Sequence, residues 1–356
     1  MKNSTLIPPQ LHLEEPISVS TLDRWTHPSV ILVATDLSDL DRLMPFTFEQ
    51  AAQTGARLLL LHVLTGAAAM LTDAAGMPYY YPAGVMQYAA TSLEPFCQEA
   101  QDRNIACNAL VREGSAAQQI AIAARQFRAD RVILGTRSPG RLGKLLLGSV
   151  AAQVLRSVNL PVMTVGPEAR LPVNAGTAER VVLYATTLGE ASRPGAALAC
   201  QIASAQRARL VLLHVLPPIV PAAAFAPLPG LPLAALTVRE NFRTVEPGTS
   251  GQPAGLDSAA FHHLRALAAD IGSDCNTTVE PRVVHGNPSV EILAEAAESG
   301  ANLIILGARP RAAFENLTQG RTIYRVLAHG RCPVLTLRES AGKPHGFGLA
   351  SIGAES

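Results

Sequence analysis

Short, mostly apolar runs, bounded by turn residues, alternate along this chain with longer segments of helical period. Residues 30–34, 58–63, 132–134 and 162–165 are of the first kind. Because they do not alternate apolar with polar, they predict strands buried on both faces. Residues 43–54, 91–103, 116–127 and 149–158 are of the second kind and predict amphipathic helices. Ser115 stands at an N-cap position, and Asn287-Pro288 later places proline in a first helical turn. This alternation predicts a parallel sheet with helices on both faces.

The pattern occurs twice. "SVILVATDLSDLDRLMPFTFEQAAQTGARLLLLHVL" (29–64) aligns with "RVVLYATTLGEASRPGAALACQIASAQRARLVLLHVL" (180–216). "VREGSAAQQIAIAARQFRADRVILGTR" (111–137) aligns with "VVHGNPSVEILAEAAESGANLIILGAR" (283–309), and "VLRSVNLPVMTV" with "VLAHGRCPVLTL". His62 and His214 are 152 positions apart, whereas Gly114 and Gly286 are 172 apart, as are Pro161 and Pro333. The second copy therefore carries 20 extra residues after its second strand, in a proline-rich segment. The fold class predicted is α/β: two tandem, doubly wound, five-stranded parallel-sheet domains.

Composition narrows the function classes. The 356 residues are 48% hydrophobic, 16% charged and only 4% aromatic, which supplies two cores built from Ala, Leu, Val and Ile. A formal net charge of +1 argues against nucleic acid or an acidic membrane as partner. The uncharged stretch 210–238 has the length of a membrane span but contains six prolines, which a spanning helix rarely tolerates. Glu14 and Glu15 interrupt the N-terminal segment before any apolar signal core forms. The five cysteines, Cys97, Cys107, Cys200, Cys275 and Cys332, include no C-x-x-C and read as small buried thiols. A cytoplasmic protein is the expectation.

Candidate chemistry converges on one edge. In open parallel sheets, ligands bind beyond the carboxyl ends of the strands, where strand order reverses. In the first copy that edge receives "TDLSD" after strand one, "HV" closing strand two, and "GTRSPGRLGKLLLGSVA" (135–151). Gly135 and Gly140 have the spacing of a Walker loop, but Arg141 and Leu142 follow instead of lysine and a hydroxyl residue. Gly148-Ser149 opens a helix whose free N–H groups and dipole suit a phosphate, and Arg137, Arg141 and Lys144 add positive charge. Two readings of Ser149 stand, a phosphate ligand or a helix cap. For Asp39 or Ser38 the cap is the commoner role. His62 and His214 sit within apolar runs and read as satisfied core histidines. His262 and His263, adjacent on a helix, diverge by about 100° and make a poor chelate. The apolar insertions 66–90 and 217–236 read equally as lids, as a dimer surface or as packed loops.

"VATDLSD", "ARLLLLHVL", "VREGSAAQQI", "DRVILGTRS", "LLLGSVAAQVL" and "LPVMTV" together resemble the universal stress protein family, with two of its domains spanning residues 28–338. The resemblance divides the chain into a tail (1–27), domain 1 (28–168), a linker (169–179), domain 2 (180–338, proline-rich insertion about 217–255) and a tail (339–356). ATP-binding members have Gly, two residues, Gly, nine residues, Gly, then Ser or Thr. Here that pattern becomes Gly135, Ser138, Gly148 and Ser149, with serine replacing the second glycine. Where that position has positive φ, serine costs about 1–2 kcal/mol; elsewhere its hydroxyl adds a donor.

By the same resemblance Ala34, Asp36 and the Val63 main chain would hold adenine and ribose. Leu134, Gly135, Arg137 and Ser138 would follow the ribose and phosphates. Gly148, Ser149 and Val150 would close on the phosphate tail, with Mg or Mn held through the phosphates. Domain 2 has Thr187 for Asp36, Pro310 for the middle glycine and Arg321 for the serine, which implies a degenerate copy, although Arg321 could attract an anion. The resemblance implies an ATP-binding stress sensor or adaptor, with hydrolysis or self-phosphorylation slow at most. Its domains would pair through strands 162–165 and 334–337 as an internal pseudo-dimer, with a homodimer and an unidentified protein as further partners. The alternative is a nucleotide-free interaction scaffold.

Overall fold

A computed structural model describes residues 19–65, 70–72, 78–80, 82–136, 147–171, 179–189, 192–218, 256–308 and 317–338. The first half runs α1 (Val19–Thr26), β1 (Val30–Thr35), α2 (Leu40–Thr54) and β2 (Arg57–Leu64). A hairpin of β3 (Met70–Thr72) and β4 (Pro78–Tyr80) follows. Then come α3 (Pro82–Asp102), β5 (Cys107–Glu113), α4 (Ala116–Gln126), β6 (Arg131–Gly135), α5 (Ser149–Ser157) and β7 (Val162–Val165). The second half repeats the plan: β8 (Arg180–Thr186), α6 (Ser192–Ala205), β9 (Ala208–Leu216), α7 (Leu256–Asp274), β10 (Val279–His285), α8 (Pro288–Glu298), β11 (Leu303–Ala308), α9 (Leu317–His329) and β12 (Val334–Arg338).

One ten-stranded sheet joins the halves in the order β10-β9-β8-β11-β12-β7-β6-β1-β2-β5. Within each half all neighbours are parallel. Within this ten-stranded sheet the halves meet in an antiparallel pair, β7 with β12, in register Val334 to Thr164 and Thr336 to Val162. In the first half the chain proceeds from β1 outward to β2 and β5, then returns to β6 and β7 on the other side of β1. The strand order therefore reverses between β1 and β6, which opens a crevice at their carboxyl ends.

Alternate strand residues feed two cores. Ile31, Val33, Leu58 and Leu60 meet α2 and α3, and their counterparts in the second half meet α6 and α7. Val30, Leu32, Leu59 and Leu61 face α4 and α5, with α8 and α9 doing the same in the second half. Local signals fix the helix ends. Gly55, at φ 71°, ends α2 and its N–H returns to the Ala51 carbonyl. Asn287 caps α8 by accepting from Ser289 N, with Pro288 at the first position. Ser115 stands at the N-cap of α4 but makes no side-chain capping bond.

Three features lie outside the expectations from sequence. Residues 19–26, within the expected tail, form α1, which buries Trp25 and whose Thr26 donates to Gln201 Oε1 of α6 at 3.1 Å. Helix α3 begins nine residues before its expected start, at Pro82. Cys97 and Cys107, read from sequence as thiols, are joined as a disulfide between α3 and the start of β5; their Cα atoms lie 5.2 Å apart, a separation a bridge can span. Cys200, Cys275 and Cys332 are free and buried. No helix among the described residues is long and apolar enough to cross a membrane.

Candidate functional site

The carboxyl end of β1 is shaped by its last residue. Thr35 Oγ1 accepts the N–H of Leu37 at 2.9 Å and donates to Asp39 Oδ1 at 2.6 Å. Held this way, Leu37 adopts φ 73°, a conformation costly for a branched side chain. The turn is reproduced in the second half, where Leu188 has φ 59° and donates to Thr186 Oγ1 at 3.1 Å. Between these anchors, Asp36 projects outward. Its Oδ1 accepts Ser38 N at 3.0 Å and Ser38 Oγ at 2.7 Å, an Asx turn that fixes the carboxylate while leaving it exposed.

Asp39 occupies the N-cap position of α2 but does not cap it. Its carboxyl is buried, accepts from Thr35 and lies against the α-carbon of Gly135, with Arg42 Nη2 at 4.0 Å. Burial, and then the charge of Asp36, push the Asp39 carboxyl above its ordinary value. Its proton is held more tightly folded than unfolded, so stability should fall as pH rises from 3.8 to the folded value and stay level above it. Asp39→Asn should remove that slope, measured as the urea midpoint against pH; an identical slope in the variant would refute the burial assignment.

Gly135 owes its identity to this contact, because a Cβ there would overlap Asp39 Oδ2. On the far side of the loop, Gly148 N donates to the Thr136 carbonyl at 2.9 Å and Gly148 becomes the N-cap of α5. Ser149 is the first helical residue and is exposed, and no side chain among the described residues caps the helix. The capping reading of Ser149 therefore gives way: the glycine before it holds that place, and the first N–H groups of α5 have no side-chain acceptor among the described residues. Arg137 and Ser138 lie outside the described residues, as do Arg141 and Lys144.

These elements enclose a cavity of about 380 Å³. Its floor is Ala34, Leu61 and Leu134, and Ala116 and Ile120 of α4 form an apolar wall. His62, Val63 and Thr65 border it along β2, Thr35, Asp36 and Asp39 along the β1 turn, and Gly135, Gly148, Ser149 and Val150 along the loop. The structure thus brings together Ala34, Asp36, Val63, Leu134, Gly135, Gly148, Ser149 and Val150. Reasoning from sequence missed Thr35, Asp39 and Ile120, and placed His62 in the core. His62 is half-buried, and its Nδ1 lies 3.0 Å from the Thr35 carbonyl; an acceptor-only oxygen requires the hydrogen on Nδ1. His214 makes the same contact with the Thr186 carbonyl at 2.9 Å, and burial holds its imidazole below its usual range.

The corresponding edge of the second half is built differently. Thr187, at the Asp36 position, lies 3.3 Å from Ser192 Oγ and brings no charge. Buried Tyr184 stands where β1 has Val33, and its hydroxyl donates to the Ser192 carbonyl at 3.2 Å. Helix α9 begins at Leu317, so Gly320 and Arg321 fall inside it rather than at its mouth.

A family profile described as the universal stress protein family matches residues 29–166 and 179–338. A universal stress protein of Mycolicibacterium smegmatis is 25% identical over 342 residues, which cover 86% of this chain and 96% of the relative. The crystal structure of a universal stress protein from Archaeoglobus fulgidus superposes with TM-score 0.63 at 19% identity, covering 87% of this chain and 98% of that one. A functionally unknown protein from Pseudomonas aeruginosa PAO1 gives TM-score 0.57 at 15% identity, covering 89% and 95%. At such identities the two structures speak for the fold, and the two profile matches for descent. With matches that take in both halves of the duplicated sequence, this chain belongs to the universal stress protein family.

Proposed function

We propose that domain 1 binds ATP in the cavity beyond β1, β2 and β6, and that the chain serves as a nucleotide-dependent stress sensor or adaptor. The observation that carries this reading is the placing of the Asp36 carboxylate opposite the uncapped start of α5, across an apolar floor. The fit is reasonable on size, since small-molecule sites run from about 300 to 1,000 Å³. Ala34, Leu61, Leu134 and Ile120 offer a surface for a purine base, and the Val63 main chain offers hydrogen bonds at its edge. Asp36, fixed through one oxygen by Ser38, has Oδ2 for a ribose hydroxyl. The N–H groups of Ser149 and Val150, the Ser149 hydroxyl and the α5 dipole suit phosphate oxygens.

No group of three or more metal-binding side chains occurs among the described residues, so Mg or Mn would be held mainly by the phosphates. Turnover should be slow. Of the titratable side chains that line the cavity, Asp36 is engaged by Ser38, Asp39 lies behind Thr35 and Gly135, and the His62 ring is fixed by a carbonyl. The open nitrogen of His62, Nε2, lies with Val63 on the β2 border, where the base would sit, rather than at the start of α5, where the γ-phosphate would sit.

Titration calorimetry of the full chain with Mg-ATP tests the site. Asp36→Ala should weaken binding about tenfold or more, as expected for loss of a charge-assisted hydrogen bond. Gly148→Val, which puts a branched side chain at the helix mouth, should weaken it at least as much. Unchanged affinity in both variants would leave a scaffold without a nucleotide.

A further inference from the structure

Cys200 and Cys275 meet between α6 and the last turn of α7. Cys200, on α6, is fully buried, and its thiol donates to the Ile271 carbonyl of α7 at 3.5 Å. Ile271 stands one turn before Cys275, and a helix carbonyl points along the axis toward the residue four places on. The Cys200 sulfur is thereby brought to Cys275, with whose side chain it shares a hydrogen bond. Cys275 itself is the first residue after α7, in the turn that leads to β10. Neither thiol belongs to a disulfide. Arg193 of α6 pairs with Asp270 of α7 at 2.5 Å, so an ion pair already joins the same two helices.

The duplication gives an independent view of this contact. At the offsets between the copies, Cys200 corresponds to Phe48 and Cys275 to Arg103. The buried positions of α6 fall on those of α2 one for one, and Arg207 matches Gly55 as the left-handed residue after its helix. In the first half the Arg103 guanidinium lies 4.8 Å from the centre of the Phe48 ring, so these two places touch in both halves. There a different pair fastens the equivalent helix: the Cys97–Cys107 disulfide joins α3 to β5, and α3 packs on that outer strand as α7 packs on β10. Four of the five cysteines thus stand in two pairs, each holding a helix over an edge strand. A thiol buried only to fill space needs no second thiol beside it.

We infer that Cys200 and Cys275 form a thiol–disulfide switch, closed by exchange with a low-molecular-weight disulfide. Cys275 is the entry thiol, since it keeps 7% exposure where Cys200 has none. Burial, and then the neighbouring Cys275, push the Cys200 thiol up and keep it protonated until its turn comes. The Cys275 thiolate attacks one sulfur of the small disulfide, forming a mixed disulfide and releasing a thiolate. Cys200 then attacks the Cys275 sulfur, and the second small thiolate leaves. Two electrons pass to the small disulfide, which ends as two thiols carrying the protons the cysteines lose. The new bond locks the end of α7 to α6 and makes the second half the oxidant-responsive one.

The test is incubation of the folded full chain with oxidised glutathione, quenching with iodoacetamide, and peptide mapping by mass spectrometry without reduction. A peptide pair joined through Cys200 and Cys275 should appear, lighter by two hydrogens than its parts, and dithiothreitol should abolish it. Closure should raise Tm by about 5 °C or more, because the bond bridges a long loop of the unfolded chain. Cys200→Ala should halt at glutathione held on Cys275, whereas Cys275→Ala should leave Cys200 unmodified. Cys332, whose thiol burial pushes up to about 12, should stay reduced throughout and serves as the control. Glutathione retained on Cys275 of the unaltered chain, both thiols still free after exposure, or a Tm that does not rise on closure overturns the assignment.

Discussion

Asp130→Ala is expected to lower the unfolding free energy by about 3–5 kcal/mol, as for other buried charges stripped of their partner. The side chain is almost fully buried below the amino ends of β1 and β6, and its oxygens serve several donors. Oδ2 accepts Ser29 N at 2.9 Å and Val30 N at 3.1 Å, while Oδ1 accepts Arg24 Nε at 2.8 Å and a second nitrogen of the same guanidinium. Removing it leaves the buried N–H of Val30 unsatisfied and frees Arg24 from α1. It also deprives Arg131 of its nearest compensating charge. That guanidinium is fully buried, donates to the Trp25 carbonyl at 2.8 Å and to Gln50, and is lowered to about 10 by desolvation, with Asp130 acting the other way. Urea unfolding, with the slope held equal to that of wild type, measures the loss. Arg24→Met should cost much less, because Arg24 is 57% exposed. A loss below about 1 kcal/mol for Asp130→Ala would mean that the network is replaced by water.

Gly135→Ala should cost about 1–3 kcal/mol and at the same time weaken Mg-ATP binding at least tenfold. A methyl group there would take the place of Asp39 Oδ2, forcing the carboxyl off Thr35 Oγ1 or the strand end away from α2. Either movement shifts a border of the cavity. The companion variant Asp39→Ala should cost little on its own, because the carboxyl it removes is already disfavoured in its charged form by burial. Combined, the two should be less damaging than their sum, with an interaction energy of about 0.5–3 kcal/mol as found for residues in contact. Simple additivity would show that the glycine is needed for its backbone rather than for space. Since no positive φ accompanies Gly135, space is the reason the geometry gives.

Elements whose burial is two-sided were legible in the sequence, and those at the margins were not. β1, β6 and β7 have no solvent face, so their apolar runs stand out with ends correct to within a residue. β5 closes the sheet at its outer edge and is half-exposed, and "CNALVRE" accordingly carries no such run. Helix α1 went unread because what holds it is Asp130, an acid over a hundred positions away that no local period announces. At the candidate site the pattern of glycines and Asp36 was visible. The reason for Gly135 was not, since it depends on a side chain from α2 arriving behind the strand. His62 illustrates the opposite error: its apolar neighbours indicated the interior, but strand ends open onto the crevice, and there a ring satisfied on one nitrogen also borders a cavity.

The antiparallel junction of β7 with β12 joins segments of a single molecule. Two separate chains meeting through such short strands would come apart on dilution, because their encounter depends on how much protein is present. With both partners on one backbone, the concentration of one strand about the other is an intramolecular quantity that dilution does not change. The two halves therefore remain zipped at any dilution of the chain.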